Sequence, residues 1–428
     1  MRDTSTVQEK EKHIMFKQFT KLEKSWIYYD IGNSAFTMMV STIIPIWFNS
    51  LATAGGMNDS QYLAQWSFAT SIATIIIAFG GPVLGSIADN KGYKKPLFKA
   101  ALFMGVLGCI ALGLVPNWYI YLIMYVIAKV CYQSSLIIYD SMLTDVTTPE
   151  KMDLVSSQGY AYGYLGSCIP FVVALLLYVC GNPDFLGIIP EKLSIALAFL
   201  VVGIWWLGVT VPLLKNYEQK YYIENQKGKI KESFARLGST LKNMFFTQKK
   251  IFYFLLGFFF YIDGVYTIID EAVAIGTALG LNQIGLLVIL LLTQVVAFAF
   301  AVLFGKLTNK YSSVQLIMVC ICGYFAVAIY ALFMKELWQF GIMAFVVGMF
   351  QGAIQALSRS YYAQIIPAEA SGEYFGIYDI CGKGAAFMGT TLVGITVSLT
   401  NSVNIAVGTL AILFIFGLFF FRKASKIQ

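Results

Sequence analysis

LSIALAFLVVGIWWLGVTV, residues Leu193 to Val211, carries no charged side chain and almost no polar one. A helix rises 1.5 Å per residue, so about 20 such residues reach across the ~30 Å hydrocarbon core of a bilayer. Lipid offers backbone N–H and C=O groups no partner, so an apolar run of this length enters it as helix. The same texture recurs along the whole chain and predicts twelve spans: 25–51, 61–88, 96–116, 118–143, 152–180, 191–214, 250–278, 281–306, 313–334, 337–362, 371–397 and 402–422. Pro45, Pro82 and Pro170 fall inside spans, where neighbouring helices must cover the freed carbonyls.

Composition agrees with the spans. Of 428 residues, 58% are hydrophobic, 16% aromatic and only 12% charged, and mean hydropathy is +0.70. A water-soluble surface needs about a quarter of its residues charged. A soluble multidomain protein, a disordered chain, collagen and a disulfide scaffold are all excluded. The seven cysteines (Cys109, Cys131, Cys168, Cys180, Cys320, Cys322, Cys381) lie in or at the ends of spans and read as packing residues.

Lysine and arginine orient the chain. They crowd residues 1–24, Lys91 to Lys99, Lys151, the 215–250 segment, Lys306, Lys310, Arg359 and the C-terminal tail. The opposite connections hold only Lys192 and Lys335, and only Lys129 and Lys383 lie inside spans. The positive-inside rule then places both termini in the cytosol and requires an even number of spans. The net charge of +7 follows from this asymmetry and implies no nucleic acid. Residues 1–24 lack the short apolar core of a cleavable signal peptide. The expected organisation is a tail (1–24), a six-helix bundle (25–214), a linker (215–249), a second six-helix bundle (250–422) and a tail (423–428). In the linker, Ile230, Phe234, Leu237, Leu241, Met244 and Phe245 recur at helical spacing between lysines, as in a helix lying on headgroups.

The halves echo one another. GSIADNKGYKK from Gly85 ends span 2, and GKLTNKYSS from Gly305 ends span 8. Pro149, Tyr160 and Gly166 return at one common offset as Pro367, Tyr378 and Gly384. Tyr28-x-Asp30 has a counterpart in Tyr261-x-Asp263. Such repeated halves commonly enclose a midplane site and rock about it.

Gly85 to Lys95 resembles the loop signature of the major facilitator superfamily, with Asn90 and Tyr93 where arginines are commoner, which thins its charge network. Within that superfamily the chain resembles the vacuole-effluxer-like (autophagy-related amino-acid effluxer) branch. The resemblance rests on YYDIGNSAF (Tyr28–Phe36), SSQGYAYGYLGS (Ser156–Ser167), YIDGVYTI (Tyr261–Ile268), QGAIQALSRSYYAQIIP (Gln351–Pro367) and FGIYDICGKGAAFMG (Phe375–Gly389). It spans nearly the whole chain. It implies the twelve-helix major facilitator fold, two pseudo-symmetric bundles, and secondary transport, with eukaryotic relatives moving neutral amino acids out of vacuoles.

Ionisable residues at membrane depth mark candidate sites, because a lone charge there costs roughly 2.5–3.5 kcal/mol on insertion scales. Lys129, Asp263 and Lys383 fall near the midplane, and Asp379 is one turn from Lys383. Asp379 and Lys383 either staple span 11 or present charge to a substrate. Asp263 has no cation nearby on its own helix, so desolvation favours its neutral form and makes it a candidate proton carrier, with Asp30 a second candidate in that role; a hydrogen bond to a neighbouring helix's backbone or a pairing with Lys129 is the alternative. Asn33, Gln133, Gln351 and Gln355 are helix glue by chemistry alone. In the fold that the chain resembles, spans 1, 4, 7 and 10 line the cavity, which makes these four candidate ligands. Asp89, Asp140, Arg359 and Glu373 lie near cytosolic span ends as candidate gate residues.

The one histidine, His13, is in the tail, so no His-based triad or metal site is expected, and no cofactor. The expected function is alternating-access transport of a small polar or zwitterionic solute, proton-coupled, by a monomer in the cell membrane surrounded by lipid. A drug exporter, an anionic-lipid flippase and a multi-span membrane enzyme stand as alternatives, the last opposed by short external loops of little charge.

Overall fold

The computed structural model describes residues 18–427, apart from 184, 225–229, 273–274 and 277–278, and without the side chains of 59, 60, 63, 230–234, 283, 284, 287 and 383–387. Among the described residues, eleven helices are long and apolar enough to cross a bilayer. Ser371–Thr400 makes the twelfth, its described apolar part being Met388–Thr400. The chain is a multi-pass integral membrane protein.

Local chemistry sets the helix ends. Span 1 opens on a capping box: Thr20 N donates to Glu23 Oε2 (2.7 Å), and Glu23 N donates to Thr20 Oγ1 (3.1 Å). The span then breaks into Lys21–Ser41 and Ile43–Ala54 at Thr42 (φ −134°, ψ −86°), just ahead of Pro45, which has no N–H to continue the ladder. Spans 2 (Asp59–Ala88), 3 (Lys94–Leu112), 4 (Trp118–Ser141), 5 (Met152–Gly181) and 6 (Glu191–Asn216) complete the first half. Span 6 holds a further proline, Pro212, within its last two turns.

Ile230–Phe246 forms the expected linker helix. Leu237 and Met244 turn inward, while Leu241, Phe245 and Phe246 are exposed. Span 7 runs as one helix over Lys249–Asp270 and is interrupted at Glu271; beyond the break Ala272, Ile275 and Gly276 are again helical, and Leu279 N donates to Ile275 O (3.0 Å). Spans 8 (Gln283–Leu307), 9 (Ser313–Ala331), 10 (Leu337–Ile365) and 11 follow. Span 12 is divided into Val403–Thr409 and Ala411–Ser425 rather than continuous.

Large apolar side chains such as Phe79 (73% exposed) and Leu399 (79%) point outwards, as they must where lipid is the solvent. Within each half an equivalent tyrosine ties the first helix to the fourth. Tyr29 bonds Ser135 (2.6 Å) and Tyr261 bonds Ser358 (2.6 Å). This pairing corrects the expected register of the repeat by one residue. Tyr261 takes the place of Tyr29, not Tyr28, so Asp263 corresponds to Ile31 rather than Asp30. The two aspartates therefore point to different neighbours.

Two seams join the halves. Span 2 crosses span 11 with Gly85 against Gly372 and Pro82 against Gly376, and a Cβ at any of the three glycines would land in the other backbone. Span 5 meets span 8 through Ser157 and Gly305, where an added Cβ would lie 2.7 Å from the serine's Cβ.

Candidate functional site

Arg359, on span 10, is 2% exposed and reaches across to the first half. Its Nη2 lies 3.1 Å from Asp30 Oδ2 on span 1, and its Nη1 lies 3.0 Å from Asp140 Oδ1 on span 4. Nε donates to Ser156 Oγ (2.9 Å) and Nη2 to Ser156 O (3.2 Å), both on span 5. The guanidinium faces the rings of Tyr160 (4.3 Å) and Trp26 (4.6 Å). Trp26 and Tyr139 stack at 4.4 Å and each bonds the other's carbonyl, which fixes that wall. Gly159 makes the approach possible, because a Cβ there would collide with Asp30. Asn33 is buried and donates to Tyr29 O (3.0 Å) and Asp30 Oδ1 (3.4 Å), so it orients the aspartate.

Toward the midplane, Tyr164 OH donates to Gln355 Oε1 (3.4 Å), and Gln351 is buried one turn away on the same helix. Gln133 is half-buried, with its Oε1 lacking a hydrogen-bond partner among the described residues. Lys129 bonds Tyr125 OH (3.2 Å) on its own helix and lies within electrostatic range of Asp270, at the end of span 7. Asp379 is half-buried on span 11. The Lys383 side chain lies outside the described residues, so the expected Asp379–Lys383 pairing does too.

Asp263 is fully buried. Its Oδ1 accepts from Gly389 N (3.0 Å) and Thr267 Oγ1 (3.5 Å), and its Oδ2 has no hydrogen-bond partner among the described residues. The carboxyl thus faces span 11 inside its own half.

On the face that carries the linker, Asp89 caps span 11: its Oδ1 accepts from Gly372 N (2.7 Å) and its Oδ2 from Glu373 N (2.9 Å). Lys94 Nζ lies 3.3 Å from Asp145 and 3.9 Å from Asp89, and donates to Ser371 Oγ (3.0 Å). Burial pushes the Asp89 carboxyl up to about 7. Lys94, the backbone N–H of Glu373, that of Gly372 and Arg236 pull the other way, in that order.

Asp145 accepts from Tyr217 OH (2.5 Å), Lys220 N (3.0 Å) and Tyr221 N (2.9 Å). Arg236 of the linker helix completes the cluster, 2.5 Å from Glu373 and 3.6 Å from Asp89. It puts a guanidinium where Asn90 and Tyr93 had left the loop short of one.

All four candidate gate residues are therefore in inter-half contacts, with Asp30 beside them. Asp145, near a span end like the four, joins them through Lys94. Lys94, Arg236, Ser156, Trp26 and Tyr160 were missed, because their partners lie dozens to hundreds of residues away and leave no local spacing. Among the described residues no group of three or more His, Cys, Asp or Glu could hold a metal.

The family model described as "Vacuole effluxer Atg22 like" matches residues 20–425. The chain is 39% identical over 409 residues to the MFS-type transporter YxiO of Bacillus subtilis (strain 168), covering 94% of this chain and 95% of that one. Autophagy-related protein 22 of Candida glabrata is 20% identical over 495 residues, covering 94% and 89%. Among solved structures, the major facilitator superfamily transporter FucP in its outward conformation superposes with a TM-score of 0.71 at 14% identity, covering 95% and 98%. The human organic anion transporter MFSD10 gives 0.69 at 13%, covering 94% and 98%. The fold is that of the major facilitator superfamily, and the chain belongs to the vacuole effluxer Atg22-like family of its transporters.

Proposed function

We propose that this transporter moves a small polar or zwitterionic solute of amino-acid type by alternating access, coupled to protons, as a monomer in the cell membrane with both termini cytosolic. The observation that carries the reading is Arg359, a fully enclosed cation shared by two carboxylates of the opposite half. A buried ion pair adds little to stability over a packed apolar one, so its value lies in specifying how the halves meet. The face that it helps to close is the basic one, hence cytosolic, and the conformer is the outward-facing member of the cycle.

The solute site lies above that closure, between Gln133, Gln351, Gln355, Tyr164, Lys129 and Asp379; Lys383 stays a candidate from the sequence alone. Both signs of charge and several amides suit a zwitterion better than a lipophilic cation. Asn33 serves Asp30 rather than the solute. Asp263 carries the coupling proton, since its Oδ2, without a hydrogen-bond partner among the described residues, can hold an O–H while Oδ1 keeps its backbone donor.

Thermal unfolding of purified protein tests the solute class. Neutral amino acids at millimolar concentration should raise Tm by several degrees; stabilisation by lipid-linked compounds or hydrophobic drugs alone would replace that class. Asp263→Asn should retain counterflow and lose proton-driven accumulation at least tenfold, and full accumulation would remove Asp263 from coupling.

A further inference from the structure

One guanidinium of the cytosolic gate belongs to neither bundle. Arg236 sits on the linker helix, yet its guanidinium spans the seam between spans 2 and 11: Nη2 donates to Ser86 O (2.8 Å) and lies 3.6 Å from Asp89, and Nε meets Glu373 at 2.5 Å. Asp89, Asp145 and Glu373 are all buried, and among the described residues the cations beside them are Lys94 and Arg236. Without Arg236, Asp89 and Asp145 would share the Lys94 ammonium, and Glu373 would lose the ion pair that faces it. A buried carboxylate stripped of its cation is strongly destabilised.

The stretch before the helix is fastened as well, but to the first half only. Gln219 accepts from Gly92 N (3.0 Å), Ile223 N donates to Asp89 O (2.8 Å), and Lys95 Nζ donates to Tyr217 O (2.7 Å). Among the described residues the strap 217–224 is thus anchored on one side of the seam, and the linker reaches span 11 on the other through Arg236 and, at its end, through Gln248, whose Oε1 accepts from Tyr374 OH (2.6 Å).

We propose that the linker is a latch for the transport cycle. Arg236 supplies the gate's missing guanidinium from outside both bundles, and it must leave Glu373 before the cytosolic side can open. The latch rests on the alternating-access reading given above. Its readout is the gate itself, so a wrong solute or coupling ion would leave the test intact.

Hydrogen–deuterium exchange of the full-length protein in nanodiscs reads the latch without a label. The amides of Gly372 and Glu373 are protected by Asp89 when the seam is closed. Arg236→Gln should speed their exchange at least tenfold while amides within spans 3 and 9 keep wild-type rates. Arg236→Lys should fall between the two, because an ammonium keeps the charge and loses the fork. The charge exchange Arg236→Glu with Glu373→Arg should restore most of the protection that either single change removes. Exchange at Gly372 and Glu373 within twofold of wild type in Arg236→Gln would overturn the latch. So would a double variant no better protected than Arg236→Glu alone, a comparison that still decides if Arg236→Gln proves unstable.

Discussion

The two halves place side chains at matching points around the rim that carries the linker and fill them with opposite chemistry. At the start of span 11, Lys94 donates to Ser371, which in turn donates to Ser141 O (3.1 Å). At the start of span 5, Ser313 and Ser360 both donate to Asp153, the latter at 2.5 Å. The connection between spans 2 and 3 brings Asp89 to a helix N-terminus, whereas Gly305–Ser313 contains no carboxylate at all. One seam is locked by a charge cluster, the other by hydroxyls on a single acid. Two seams of unequal strength imply that the charged one sets the equilibrium and the hydroxyl one follows.

Breaking what both seams rest on should have the largest effect. Arg359→Gln leaves Asp30 and Asp140 facing each other without a cation, at about 3–5 kcal/mol for a broken buried pair. Counterflow in proteoliposomes, with whichever solute stabilises the purified protein, should fall at least a hundredfold. Asp89→Ala comes next. It leaves two buried N–H groups unpaired and two cations short of an anion, about 3 kcal/mol in all, so Gly372 and Glu373 should exchange roughly a hundred times faster.

Asp153→Ala should do less, about tenfold on seam opening. Ser360 Oγ already has a second acceptor in Leu357 O at 3.2 Å, and no charge is stranded. Equal effects of Asp89→Ala and Asp153→Ala would erase the inequality between the seams. The smallest effect is on pH. Asp89 is held near 7 in the closed gate, and water would return it to the ordinary range near 3.9 once the gate opens. The closed state therefore binds the proton more tightly. Acidification favours closure, with the gain absent well above pH 7, growing as pH falls through 7 and complete below about 4. Between pH 8 and 6 the exchange of Gly372 and Glu373, corrected for intrinsic chemistry, should slow several-fold, and Asp89→Asn should flatten the slope.

The spans were legible because lipid imposes one rule on every segment, and Leu193–Val211 obeys it without exception. The rule fixes spans and not their breaks: span 7 is interrupted at Glu271, and span 12 divides after Thr409. Arg359 and Asp140 could be flagged as misplaced charges. Their partnership could not, because it joins positions 219 residues apart. Arg236 was invisible for a different reason. On an amphipathic helix an arginine reads as one more headgroup cation, and only the fold turns it inward. The one-residue slip between Tyr28 and Tyr29 shows how far pattern matching goes in a tyrosine-rich chain; the hydrogen bond to Ser135 settles the register.

The crossing of Gly85 with Gly372 has a kinetic consequence. Most helix pairs mesh knobs into holes, and pulling them apart forces many rotamers to change together. Here bare backbone slides on bare backbone, so the surfaces have no teeth to disengage. Separation of that joint involves little steric friction, and the pace of switching falls to the ions at its edge.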